Sequence, residues 1–116
     1  MLHMGIPLGG GSDSPVESMA PLWGIRCAVT RKTAEGLPPE GWHPEENLSV
    51  YEAVSLYTKG GAYLSFEEAE KGTLEPGKLA DFVVLGRDIF HTEPERIHEI
   101  PVCMTVMDGV VRFQAD

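Results

Sequence analysis

One acidic residue, Asp13, is the clearest candidate for chemistry because of the stretch that precedes it. In "GIPLGGGSD" an apolar run, Ile6 to Leu8, leads into three glycines, and the carboxylate follows after one serine. Glycines in such a place allow another part of the chain to approach the backbone closely. On spacing alone, Asp13 is interpreted as a turn or capping residue at the end of a tightly packed strand. A phosphate-binding loop is a weaker alternative, because the stretch matches no nucleotide-binding pattern and has no lysine.

The other residues that could do chemistry do not form a motif. Surface or capping roles are expected for the four histidines, whose spacing does not suit a metal site: His3, His43, His91 and His98. Trp23 and Trp42 are expected to cover a core or else to line a pocket. Arg31 stands in an otherwise apolar stretch, where it either anchors an anionic group or is a solvated surface residue. Cys27 and Cys103 form no CxxC pair, so both are predicted to be small buried apolar residues.

Composition limits the classes of function. The chain has 116 residues, of which 42% are hydrophobic, so one domain or a piece of one with a real core is expected. The formal net charge of −9 repels phosphate groups, which argues against nucleic acid and anionic membrane surfaces as partners. No apolar run reaches the roughly 20 residues of a membrane-spanning helix, and no basic-then-apolar leader pattern is present. The sparse cysteines predict a cytoplasmic location.

Turn-forming residues dominate the first 48 residues. Prolines and glycines interrupt almost every stretch after Asp13. Between them, the segment 25–31, "IRCAVTR", remains open between a helical turn and a short strand. A stretch this long without clear secondary structure is usually a functional loop or a part whose neighbours are absent.

From Ser49 onward the pattern is helical. Ser49 and Glu52 form a capping box, in which each side chain satisfies a backbone N–H of the other residue. Apolar residues follow at helical spacing, and the glycine pair at 60–61 weakens or ends this helix by about 1 kcal/mol per glycine. The capping pattern recurs at 65–68 and predicts a second short helix that ends near residue 72.

The C-terminal half is predicted to be antiparallel β with helical connectors. "EPGK" at 75–78 has proline and glycine in the positions of a type II turn, before a strand over 80–85. Thr92 and Glu95 form a third capping pattern, which predicts a short helix. In "VCMTVMDGVVRF" the Asp-Gly pair at 108–109 joins two β-branched runs into a hairpin. Together the elements predict an α+β fold.

Four stretches resemble, in order, the C-terminal third of the metal-dependent amidohydrolases. They are "GIPLGGGSDSPVE", "PLWGIRCAVTRKTAEG", "LSVYEAVSLYTKGGAYLSFEEAEKGTLEPGKLADFVVLGRD" and "VMDGVVRF". The resemblance is strongest to the amidohydrolase-3 branch, whose members include proteins named exoenzyme regulatory protein. It covers nearly the whole chain, and "KGTLEPGKLADFVVL" followed by the Asp-Gly hairpin is its most specific element.

This resemblance implies a TIM-like (β/α)8 barrel with a small antiparallel β-sandwich beside it. A barrel needs about 200–250 residues, so the chain is expected to hold only its last strand and helix. Residues 1–71 would be the C-terminal end of the barrel, with a strand at 4–13, an active-site loop at 14–48 and a helix at 49–64. Residues 72–116 would be the C-terminal strands of the composite sandwich.

The resemblance also implies a role for Asp13. In this family the aspartate that ends the eighth strand binds a divalent metal, for which zinc is the expected ion, and acts as general base and then general acid. Asp13 is therefore the expected catalytic residue and metal ligand, and no substrate-binding residue is assigned. The parent protein would hydrolyse carbon–nitrogen bonds other than peptide bonds in a small-molecule substrate.

The family's other metal ligands have no counterpart in this chain. The 116 residues alone are therefore expected to be inactive and to hold no metal tightly. An exposed helix face and an unpaired strand edge predict self-association. The alternative hypothesis is a noncatalytic β-rich regulatory or interaction module that keeps the fold without the chemistry.

Overall fold

The computed structural model describes residues 2–116, with every side chain in that range except that of His3. The surface or capping role expected of His3 therefore lies outside the described side chains. The helices are α1 (Pro21–Thr30), α2 (Val50–Ser55) and α3 (Gly61–Leu64), with a π-helical turn, the π turn (Leu56–Gly60), between α2 and α3. The strands are β1 (Phe82–Leu85), β2 (Val102–Met107) and β3 (Val110–Gln114). Short 3-10 helices span Leu2–Met4, Pro44–Glu46 and Pro94–Glu99.

The open stretch 25–31 is helical, because nearly all of it belongs to α1. Pro21 stands at the start of the helix, where its missing N–H costs no hydrogen bond and its fixed φ suits the first turn. The helix ends at Arg31, whose φ of 52° is left-handed and whose N–H donates to the Cys27 carbonyl at 2.7 Å. Ile25 is buried in the core, so packing decided between helix and strand.

The helix predicted from Ser49 forms and continues to Leu64. Its capping box is confirmed: the N–H of Glu52 donates to Ser49 Oγ at 3.2 Å, and the N–H of Ser49 donates to the Glu52 carboxylate at 2.8 Å. The glycine pair does not end the helix, since Gly60 and Gly61 both have right-handed helical φ and ψ. The backbone instead widens into the π turn just before Gly61.

The strands form one antiparallel sheet in the order β1-β2-β3. The predicted hairpin is confirmed, and Gly109 has a φ of 72°, which glycine adopts without strain. The predicted type II turn is also confirmed, because the N–H of Lys78 donates to the Glu75 carbonyl at 3.1 Å and Gly77 has a φ of 94°. The α+β class follows from these elements.

The main buried cluster lies between α1, α2 and the 3-10 helix Pro94–Glu99, while the sheet contributes buried Val106 and the half-buried Leu85 that packs against the cluster. Its buried members are Ile25, Ala53, Ile89, Ile97 and Ile100. Ile97 is fully buried, so the connector between β1 and β2 is packed against the helices. All of β3 and most of β1 are exposed, which leaves both faces and both edges of the sheet largely uncovered.

The strand expected at 4–13 does not form in this structure. Residues 2–4 make a 3-10 turn, and residues 6–12 have no regular secondary structure. A strand is stabilised by hydrogen bonds to a neighbouring strand, and the described sheet consists only of the three C-terminal strands. The segment therefore has no strand to pair with.

Two capping patterns act differently from the prediction. Ser65 donates its hydroxyl to carbonyls of α3, and Phe66 has a left-handed φ of 60°, so this pattern ends one helix and begins none. Thr92 donates its hydroxyl to the Asp88 carbonyl at 2.7 Å, and the predicted short helix starts later, at Pro94. Serine and threonine hydroxyls can bond to carbonyls three or four residues back instead of capping an N–H group, and both residues do so here.

The predicted burial of the cysteines is wrong. Cys27 is exposed and Cys103 is half-buried, and both are free thiols. The Cys27 thiol donates to the Lys32 carbonyl at 3.1 Å, just beyond the end of α1.

Candidate functional site around Asp13

Asp13 lies on an exposed turn directly after the glycine run. Its φ is 50°, a left-handed conformation that aspartate tolerates better than most residues. The turn is closed by hydrogen bonds from Val16 N–H to the Asp13 carbonyl at 2.9 Å and from Glu17 N–H to the Ser12 carbonyl at 3.2 Å. Among the described residues, no hydrogen bond or ion pair engages the Asp13 carboxylate. The backbone is held while the carboxylate is open to solvent.

The glycines before Asp13 pack closely, as the sequence predicts, against the continuous helix 50–64 formed by α2, the π turn and α3, called the long helix below. A Cβ on Gly9 would lie 2.6 Å from Leu64 Cδ1, and a Cβ on Gly10 would lie 2.5 Å from Tyr57 Cε2. The N–H of Gly10 also donates to the Leu56 carbonyl at 3.0 Å. A side chain at Gly10 would meet the Tyr57 ring and push the segment away, whereas at Gly9 the exposed Leu64 side chain can turn aside.

A cavity of about 650 Å³ adjoins this segment. The residues that line it include Gly11, Trp23, Cys27 and Tyr57. The prediction that Trp23 lines a pocket or covers a core agrees with this position. Partial burial raises the pKa of Tyr57, and the neighbouring Cys27 raises it further. The Tyr57 hydroxyl thus stays protonated over a wide pH range and can donate a hydrogen bond into the cavity.

A buried arginine, Arg26, fastens α1 to the C-terminal half of the chain. It is 3% exposed, and its guanidinium donates to the carbonyls of Glu95 at 3.1 Å and Thr33 at 2.9 Å. It also pairs with the Glu95 carboxylate at 3.2 Å, where Lys32 is a second partner. The hydrogen bond from Lys32 is the main reason that the pKa of Glu95 lies below its ordinary value, and Arg26 adds to it.

Sequence reasoning missed Arg26 and pointed to Arg31 instead. Arg31 donates to the Trp42 carbonyl and holds its guanidinium 5.0 Å from the centre of the Trp42 ring. It therefore braces a surface loop, and Trp42 itself is exposed rather than covering a core. The partner of Arg26 lies 69 residues away in the sequence, and no local pattern could have indicated it.

The described histidines do not gather into a metal site. His43 and His91 each lie 2.7 Å from a nearby carboxylate, of Glu45 and Asp88 respectively, in the surface roles expected of them. The His98 ring stacks on Trp23 with centroids 3.9 Å apart, and its Nδ1 is buried without a partner in the described structure.

Among the described side chains, which leave out that of His3, no group of three potential metal ligands comes together. Asp13 alone cannot hold a catalytic metal, which usually needs about three protein ligands. The residues present therefore do not form a metal centre by themselves. Across residues 2–116, no helix is both long enough and apolar enough to cross a bilayer.

Comparison with known proteins extends these observations. Residues 1–113 match the model of the amidohydrolase family, Amidohydro_3. The chain is 37% identical over 114 residues to amidohydrolase YtcJ of Bacillus subtilis, covering 98% of the chain and 22% of that protein. It is 34% identical over 114 residues to an N-substituted formamide deformylase of Arthrobacter pascens, covering 98% of the chain and 20% of that protein.

A more distant relative is a 5-methylthioadenosine/S-adenosylhomocysteine deaminase of Symbiobacterium thermophilum, 28% identical over 129 residues, with 98% of the chain and 28% of that protein covered. No solved structure matches the chain. The chain thus spans only about a fifth to a quarter of the length of these curated relatives. Because the family model covers nearly every residue, the chain belongs to the amidohydrolase family.

Proposed function

We propose that this chain is the C-terminal part of a metal-dependent hydrolase that acts on carbon–nitrogen bonds other than peptide bonds. The family match over residues 1–113 carries this proposal. The names of two relatives, a formamide deformylase and a deaminase, both describe chemistry at a carbon–nitrogen bond. The family match and the hydrolase names of the relatives described above favour the enzyme over the noncatalytic module. A small-molecule substrate, a cytoplasmic location and the absence of nucleic acid or membrane partners belong to the same proposal.

In the whole protein, residues 1–71 would close a (β/α)8 barrel and residues 72–116 would complete a β-sandwich. Two features support this placement. The segment 8–10 already lies against the long helix, as a barrel strand lies against the helix that follows it. An apolar groove of about 820 Å³ between α1, the long helix and β1 is open, as expected where neighbouring elements are absent.

Asp13 is the proposed metal ligand and general acid/base. The carboxylate would contribute one ligand to a divalent ion, proposed to be zinc, whose other ligands would come from outside this chain. When bound, such an ion makes water acidic enough to ionise near neutral pH. The Asp13 carboxylate would accept the proton from the attacking water and return it to the departing nitrogen. Its exposure on a turn closed by two backbone hydrogen bonds supports this assignment.

The chain by itself is proposed to be inactive, because one carboxylate is not a metal centre. Activity is therefore tested in the whole protein, encoded together with its upstream region. N-substituted formamides are the first substrates to assay, given the deformylase relative. Dialysis against a chelator should abolish hydrolysis, and added zinc should restore it.

The decisive variant is Asp13→Asn, which keeps the side-chain size and removes the base. It should lower kcat by about 100-fold or more, the usual contribution of general acid–base catalysis. Asp116→Asn, at an exposed aspartate near the chain end, is the matched control and should leave kcat unchanged. Equal kcat for wild type and Asp13→Asn would refute the assignment.

A further inference from the structure

The position of Asp13 depends on a short connection to the long helix. Only Gly11 and Ser12 separate Asp13 from Gly10, whose N–H donates to the Leu56 carbonyl at 3.0 Å. Because so short a segment spans only about 10 Å even when extended, a displacement of Gly10 is passed on to the aspartate. On the C-terminal side of Asp13, the hydrogen bond from the Val16 N–H to the Asp13 carbonyl restricts the backbone as well.

The π turn provides the contact surface for this segment. A π turn is wound more loosely than an α-helix, so its carbonyls do not form the usual α-helical hydrogen bond with the N–H four residues later. The Leu56 carbonyl, at the start of the π turn, is the one that accepts Gly10. At its other end Gly60 lacks a side chain, and a Cβ there would lie closer to the Leu8 carbonyl than the 3.0 Å that real Cβ atoms keep.

The ring of Tyr57 also packs against the segment before Asp13, next to the cavity of about 650 Å³. A Cβ on Gly10 would meet the ring at 2.5 Å, and a Cβ on Gly24 would overlap the hydroxyl. One aromatic side chain thus fills the space between the segment before Asp13 and α1. Both glycines are needed because the ring occupies the volume where their side chains would stand.

We propose that Tyr57 is a positioning residue for Asp13, acting through its packing on Gly10 and Gly24. The ring and the Leu56 carbonyl together fix the backbone from which the carboxylate projects. The importance of that position for catalysis rests on the proposed function. The positioning itself does not, since it concerns only the backbone of residues 9–13.

Hydrogen exchange in the whole protein measures the positioning without any substrate. Tyr57→Leu, which removes the ring, should speed exchange at the amide of Gly10, which donates to the Leu56 carbonyl, by roughly fivefold to tenfold, as expected for the loss of one hydrogen bond. Gly10→Ala should do the same by pushing against the ring. The double variant should return toward the wild-type rate, because the shorter side chain leaves room for the added methyl group. Tyr57→Phe keeps the ring and should stay near the wild-type rate.

Two control variants make the same kinds of substitution at positions outside the contact between Tyr57 and Gly10. Tyr63→Leu removes a half-exposed ring from the same long helix, and Gly11→Ala adds a methyl group where nothing lies within 4 Å. Neither should change exchange at the Gly10 amide beyond about twofold. The proposal is overturned if Tyr57→Leu leaves that exchange unchanged or if the controls change it equally. Should Gly10→Ala fail to fold, Tyr57→Leu, which adds no bulk, decides the question.

Kinetics separates this inference from the proposed function. With a formamide that the whole protein hydrolyses, Tyr57→Leu should lower kcat at least tenfold with little change in KM, and Tyr57→Phe should retain most of the rate. If Asp13→Asn retains full activity while Tyr57→Leu loosens residues 9–13, the proposed function fails and the positioning stands. If Asp13→Asn is inactive while Tyr57→Leu changes neither exchange nor kcat, the positioning fails and the proposed function stands.

Discussion

The two adjacent glycines of the long helix should respond to the same substitution with opposite signs. Gly60 and Gly61 both have right-handed helical φ and ψ that alanine adopts freely. In a helix, alanine is more stable than glycine by about 0.5–1 kcal/mol, because glycine loses more conformational freedom on folding. A Cβ at Gly61 meets nothing within 4 Å, so Gly61→Ala should raise the free energy of unfolding by about that amount.

At Gly60 the same gain is outweighed by steric overlap. The added Cβ would overlap the Leu8 carbonyl and also lie 3.3 Å from the Ser55 carbonyl, and neither is a flexible side chain that can move aside. Overpacking of this kind costs about 1–3 kcal/mol. Displacing the segment would also stretch the hydrogen bond between Gly10 and Leu56, worth about 0.5–1.5 kcal/mol. Gly60→Ala should therefore lower the free energy of unfolding by about 1–3 kcal/mol.

Equilibrium urea unfolding, followed by far-ultraviolet circular dichroism, measures both variants against the wild type. The contrast between them, about 1.5–4 kcal/mol, should appear as a difference in midpoint without a change in slope. Helix propensity cancels in the comparison, so the contrast reports only the contact with Leu8. Equal stability of Gly60→Ala and Gly61→Ala would show that the segment before Asp13 does not lie against the π turn.

Three other predictions follow from the packing. Arg26→Ala should lower the free energy of unfolding by about 2–3 kcal/mol in urea titrations. The substitution removes a buried side chain and leaves the carbonyls of Thr33 and Glu95 without their hydrogen-bond donor. A loss below about 0.5 kcal/mol would contradict the proposal that Arg26 joins α1 to the C-terminal half. Because Lys32 and Arg26 hold the pKa of Glu95 below its ordinary 4.5, their stabilisation is complete above that pH and is lost as the pH falls through the lower folded-state value. Glu95→Gln should accordingly flatten the acid side of the stability profile, and an unchanged profile would argue against the pairing. The 116-residue chain should self-associate through its uncovered sheet and helix faces, and sedimentation as a clean monomer at high concentration would contradict this.

Local interactions explain what could be predicted from the sequence. The capping box at Ser49, the type II turn at 75–78 and the hairpin at 108–109 each depend on contacts within four residues. Such contacts form wherever those residue types stand at that spacing, so the sequence pattern is enough to predict these three features. The family could also be recognised, because its ordered motifs occupy nearly the whole chain.

Tertiary structure decided the features that depend on distant parts of the chain. The stretch 25–31 became a helix because Ile25 packs into a core built with residues from beyond position 50. The segment 4–13 formed no strand, since strands need partners and the described sheet provides none beside it.

The candidate site likewise has residues that the sequence indicated and residues that only the folded structure revealed. The sequence by itself singled out Asp13 and the glycines before it, because a bare backbone followed by one acid is visible in a single short stretch. Only the folded chain showed that Tyr57 lies on those glycines and that Arg26 joins α1 to Glu95. The reason is physical: these contacts join residues that are tens of positions apart, and burial, not spacing, brings them together.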